Sequence, residues 1–275
     1  MLNQMTSFFT SAFYFQGTNW KMILLAIVVG LVFGAIWLTL YRPPLFRQTQ
    51  LWAVAIVSAI LTWTAIAFVQ VPLQSWYGRA LDYFWNQNTI GQWMLLAGIP
   101  LVLLSGLVQE ASKLAPVLIY WWYNGKRFTP KFGLIVGAVS GAGFGIFEAI
   151  WIHNQIFASG VSWSLLGDSW LGLWERFFSV AFHIALSALT GYGLAKRKGC
   201  QFYLIAAFLH GLMNYSIILI EKNLLTSFQD GMITAILAVA VTAVALWLLR
   251  RKTKEVSVST SSDVTSASTP PTVVS

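Results

Sequence analysis

Charge is what this sequence lacks most. Only 9% of its 275 residues are Asp, Glu, Lys or Arg, against about 25% in ordinary soluble domains. A chain so poor in charge cannot cover a folded core with polar surface, which excludes a soluble enzyme. An apolar fraction of 57% and a mean hydropathy of +0.68 exclude a disordered or collagen-like chain as well. Cysteine is nearly missing: Cys200 is the single one, so there is no internal disulfide and no cysteine-based zinc site. It stands in a basic loop and reads as a free thiol. Acidic residues are scarce, 9 against 17 basic ones, for a formal charge of +8. The basic residues cluster in short loops between apolar runs and form no stripe interleaved with aromatics, so membrane orientation explains them and nucleic acid does not.

What is present is long apolar runs. A hydrocarbon core of about 30 Å needs roughly 20 apolar residues in a helix. Seven spans are expected, at about 22–40, 51–72, 93–123, 132–152, 170–195, 202–221 and 230–249. The third is too long for one upright helix, so it is expected to tilt, to kink near Pro100 or Pro116, or to extend into the cytosol. Twelve basic residues follow spans one, three, five and seven, and three lie on the opposite side. The excess predicts the N-terminus outside and the C-terminus inside the cell membrane. Fourteen Trp, with the Phe and Tyr, suit interfacial positions. The fold class is all-α, a polytopic transmembrane bundle spanning 22–249. An aromatic interfacial segment precedes it (1–21), and a disordered Ser/Thr-rich cytoplasmic tail follows (250–275). The 22–40 segment lacks a basic n-region and a cleavage site, and reads as a retained helix. No repeat and no extramembrane domain is visible.

Ionisable side chains at membrane depth are costly and point to function. They are Glu110 and Lys113 in span three, Glu148 in span four, Glu175, Arg176 and His183 in span five, and His210, with Asn214, in span six. Four consecutive helices thus carry them, as expected if those helices surround one site. Glu110 and Lys113 are i,i+3 neighbours that can pair. Gly137, Gly141 and Gly145 form a double GxxxG ladder for close helix packing, and Glu148 stands next to it. His210 and Asn214, at i,i+4, share a face. Glu175 and Arg176 do not share a face, so separate structural partners are expected for them. His153, at the outer end of span four, reads as an interfacial residue.

Two His and one or two Glu at mid-membrane supply enough ligands for a catalytic zinc with an open water position. The same set can activate water without a metal, through Glu as base and His and Asn as oxyanion donors. A proton-coupled transporter uses the same residue types, although no duplicated halves are seen.

Four elements in order, Glu110-x-x-Lys113, Phe144-x-x-x-Glu148, the mid-span His183 and His210-x-x-x-Asn214, resemble the PrsW family of intramembrane proteases. They are similar also to YhfC-type proteins, within the superfamily of the CAAX prenyl endopeptidases. The resemblance covers about residues 95–220. It implies a membrane-embedded metalloprotease cutting membrane-anchored proteins, such as an anti-sigma-type factor in regulated proteolysis. Glu110 and Glu148 would then be the catalytic carboxylates, with His183 and His210 as ligands or oxyanion donors and Asn214 orienting. Zinc, if used, would sit on His183, His210 and Glu148, with Gln109, Lys113 and Phe144 in support. One departure stands out. The family pattern opens with two adjacent glutamates, and here the first is Gln109, which cannot act as a base. An inactive relative that binds membrane proteins is therefore the alternative to an active protease with Glu110 sufficient.

Overall fold

The computed structural model describes residues 20–158 and 166–251. The interfacial segment and the tail expected at the two ends lie, but for their inner edges, outside the described residues. Among the described residues, seven helices are long and apolar enough to cross a membrane. They are α1 (Trp20–Thr39), α2 (Gln50–Phe84), α4 (Met94–Tyr123), α5 (Pro130–Ala158), α6 (Leu166–Ala195), α7 (Gly199–Glu221) and α8 (Ser227–Arg250). A short α3 (Gln87–Gln92) joins α2 to α4. Among the described residues there is no strand. Large apolar side chains such as Leu24, Val28, Ile205, Phe208, Ile236 and Val239 stand exposed on the outer helices. That surface is stable only against lipid.

Local chemistry sets the boundaries. Pro130 opens α5, where its missing N–H costs no hydrogen bond. Thr226 and Gln229 form a reciprocal capping box at the start of α8. After α4 the chain reverses through Gly125 and Lys126, with φ of 62° and 61°. The second span runs past its expected end at 72 because Val71–Phe84 continues it as a more polar helix with an exposed Arg79. A single π turn, Ile66–Gln70, joins the two halves. The long third span is one continuous helix through both prolines. Near Pro116, whose ring removes a backbone donor, the Ser140 hydroxyl from α5 donates to the Lys113 carbonyl at 2.6 Å.

Glycines decide which helices touch most closely. On α5, a Cβ at Gly137 would overlap the Ser187 carbonyl oxygen of α6, and one at Gly141 the His183 carbonyl oxygen. The expected ladder is thus the α5–α6 seam. A second seam joins α4 to α7, where a Cβ at Gly106 would overlap the Ala207 carbonyl oxygen and Gly211 faces the Val102 carbonyl. α5 and α6 form the centre. Ala138, Ala142, Val180, Ile184 and Ala188 fill one side of it, and Phe182, Leu186, Ala206 and Ala238 the other.

Candidate active centre

The two seams bring four helices to one point. α4–α7 contact sets Glu110 against His210 midway along α7, and α5–α6 contact sets Glu148 against His183. Glu110, Lys113, His183 and His210 are all but fully buried, with exposures of 1% each. The carboxylate of Glu110 takes two partners through Oε1: the Lys113 ammonium and His210 Nδ1 at 2.7 Å. Lys113 Nζ also lies 3.2 Å from His183 Nδ1, and 4.6 Å from the centre of the Phe144 ring. The two imidazole rings stand 5.1 Å apart, centre to centre.

Donor–acceptor accounting fixes the tautomers. An ammonium only donates, so His183 Nδ1 is an acceptor and its proton is on Nε2. That N–H donates to Glu148 Oε2 at 2.9 Å. An ionised carboxylate only accepts, so His210 Nδ1 donates to Glu110, and in the neutral ring Nε2 carries the lone pair. Each histidine is thereby oriented by one glutamate.

Glu148 Oε2 also accepts from Arg176 Nη1 at 3.1 Å. Arg176 in turn pairs with Glu175, whose Oε1 accepts from Ser179 at 2.7 Å. This corrects the expectation of separate structural partners. Arg176 reaches its neighbour's carboxylate and, through Glu148, the centre itself. Side-chain exposure falls along the chain, from 22% at Glu175, 17% at Arg176 and 15% at Glu148 to 1% at His183. The Glu175 end is thus the more exposed end of this polar chain.

A neighbouring amide cluster holds the remaining polar residues. Gln109 Nε2 donates to Gln70 Oε1 and to Ser105 Oγ, both at 3.0 Å. Asn214 Nδ2 donates to the same Ser105 hydroxyl at 2.9 Å. Asn214 thus stands one turn from His210 but meets Ser105 instead of the ionised groups. The Gln109 Oε1 atom is buried with no hydrogen-bond partner among the described residues. Gln70 is not ionisable and carries no cost that marks it at membrane depth; a glutamine inside an apolar span is the available signal. His153, expected at an interface, is fully buried with its ring 5.7 Å from Phe33. It stands near the end of the membrane-spanning stretch Pro130–Asn154, and α5 itself continues to Ala158.

Ligand atoms of Glu110, His183 and His210 lie within 4.8 Å of one another, the one such group among the described residues. Two imidazoles and a carboxylate are a donor set that zinc accepts with a position left open. By type and spacing the residues fit a metal. The set differs in its carboxylate from the one expected from the sequence. Glu110 joins the histidines, and Glu148 holds the far nitrogen of His183, where an orienting partner of a metal ligand sits.

Residues 46–249 match the family model described as PrsW family intramembrane metalloprotease. No curated protein and no solved structure matches the chain.

Proposed function

Since the chain belongs to the PrsW family of intramembrane metalloproteases, we propose that it hydrolyses peptide bonds of membrane-anchored proteins at the Glu110–His183–His210 centre, within the cell membrane. The observation that carries this reading is the 2.7 Å contact between Glu110 and His210 Nδ1, deep in the bundle. A carboxylate that fixes an imidazole with its Nε2 lone pair available is the arrangement of a general base. In the proposed reaction His210 Nε2 takes a proton from water as the oxygen attacks the substrate carbonyl. The oxyanion so formed is stabilised by the Lys113 ammonium in a site of low dielectric. His210 then returns the proton to the leaving amine, and the C–N bond breaks. Glu148 and Arg176 keep His183 oriented, and Asn214, through Ser105, holds the adjoining wall. A zinc ion held by Glu110, His183 and His210 would take the His210 Nε2 lone pair, and would supply in place of that base a Lewis acid and a more acidic water.

Substrate and water come from the Glu175–Arg176–Glu148 side, the exposed end of the polar chain. With the basic loops inside, this is the outer face. The resemblance to proteases of anti-sigma factors makes a single-span regulator of that kind the substrate of choice. The test is cleavage of a single-span reporter in liposomes by the wild type and by Glu110→Gln, His210→Ala and Glu148→Gln, each checked for normal folding. Loss of cleavage in all three supports the reading, and undiminished cleavage by Glu110→Gln and His210→Ala overturns it. A second reading, an inactive relative that binds membrane proteins, is favoured by Gln109, and wild-type protein that captures the reporter uncut would establish it.

A further inference from the structure

His183 has one lone pair to give. Its Nε2–H is committed to Glu148 Oε2 at 2.9 Å, which leaves Nδ1, and Nδ1 faces Lys113 Nζ at 3.2 Å. The same ammonium is bound to Glu110 Oε1 and lies over the Phe144 ring, 4.6 Å from its centre. It therefore already engages two of the three residues able to hold a metal. An imidazole nitrogen cannot accept from an ammonium and bind a metal with one lone pair. A divalent cation beside the ammonium would also be repelled across a medium of low dielectric. Nor is the lysine loosely placed: it is 1% exposed, and its own carbonyl is held by Ser140 at 2.6 Å.

We propose that Lys113 and a divalent metal are alternative occupants of this centre, with Lys113 the resident cation that a metal must displace from Glu110 and His183. Lys113 then sets how tightly the chain holds metal, and its removal turns a weak site into a strong one. The inference concerns metal binding alone and does not depend on the cleavage reading.

The experiment titrates the full-length protein in mild detergent with Zn²⁺ against a chromophoric chelator, after stripping. The wild type, Lys113→Met and Lys113→Met/His183→Ala are compared, with thermal unfolding followed with and without zinc. Lys113→Met is expected to bind one zinc at least tenfold more tightly than the wild type. It should be less stable than the wild type when stripped, since Glu110 loses its counter-charge, and should regain that stability with zinc. The double variant should lose the tight site. If Lys113→Met does not fold, Lys113→Gln keeps the test decisive, because its amide can still donate to Glu110 while leaving His183 Nδ1 to the metal. Zinc affinity in the lysine variants equal to or below that of the wild type overturns the proposal. So does tight zinc that survives His183→Ala. Zinc bound by none of the proteins would also overturn it, while reporter cleavage would still decide the hydrolase reading separately.

Discussion

Gly141→Ala places one methyl group at the α5–α6 seam and tests whether that seam aligns the active centre. The added Cβ would overlap the His183 carbonyl oxygen and lie 2.7 Å from Ile184 Cα and 2.9 Å from the His183 carbonyl carbon. Non-bonded carbons prefer about 3.5–4.0 Å, so the helices must part locally by roughly 1 Å. The neighbours are backbone, and no side-chain rotamer can relieve the overlap. Overpacking of this kind costs about 1–3 kcal/mol. The better helix propensity of alanine returns up to about 1 kcal/mol. The net loss, about 0–3 kcal/mol, leaves most molecules folded if stability is of the usual order of 5–15 kcal/mol. Catalysis is less forgiving, because a misplacement of about 1 Å can cost on the order of 10²-fold. His183 rides on the backbone that must move. The expected result is a small shift in the denaturant midpoint in mixed micelles, with reporter cleavage down on the order of 10²-fold. A variant that cleaves within threefold of the wild type, or that loses activity only in proportion to its unfolded fraction, would refute the argument.

Other outcomes follow from the same contacts. Gln109→Glu removes the two hydrogen bonds donated to Gln70 and Ser105 and puts a carboxylate among acceptors; it should destabilise by about 1–3 kcal/mol without raising cleavage. Cleavage raised tenfold in that variant would show that the missing first glutamate is the limiting base. Arg176→Met removes one of the two hydrogen bonds to Glu148 Oε2 and leaves that from His183; cleavage should fall at least tenfold, and Arg176→Lys should recover part of it, whereas unchanged activity would make the arginine a bystander. Gly78→Ala sits where a Cβ meets nothing within 4 Å and should stabilise the chain by about 0.5–1 kcal/mol, as measured by the unfolding midpoint in detergent, with cleavage unaltered.

The membrane class and the seven spans were legible because hydropathy over 20 residues is a strong, local signal. The four chemical elements were legible because ionisable groups at membrane depth are rare enough to stand out. Pairing was harder. The separation of 100 residues between Glu110 and His210 carries no local mark, and the Gly106–Gly211 seam that joins them has no ladder spacing to reveal it. Adjacent helix positions diverge, which argues for separate partners for Glu175 and Arg176, yet a long guanidinium side chain reaches both its neighbour and the next helix. Gln70 is hard to pick out, since a neutral amide is not expensive in the same way as a charge. The carboxylate of the metal-capable set could not be chosen from sequence, because both glutamates precede the histidines on packed helices and distance alone separates their roles.

The order in which the two glycine seams close has a consequence for assembly. Glu148 and His183 belong to helices adjacent in the chain, 35 residues apart, while Glu110 and His210 lie on the helices that flank that pair, 100 residues apart. The inner hairpin can form as soon as α6 is inserted; the outer helices can clamp it only once α7 has left the ribosome. Hydrolytic chemistry is thus withheld from every shorter nascent chain, so a half-made protein in the bilayer carries oriented residues but no complete centre. Cysteine pairs replacing 145/180 and 103/211, where a Cβ on the glycine stands 3.2 Å from Val180 Cα and 3.3 Å from Leu103 Cα, would report this directly in chains truncated before α7 or after it. The first pair should cross-link in both lengths and the second only in the longer, and failure of the first pair to link in the shorter chain would overturn the sequence of events.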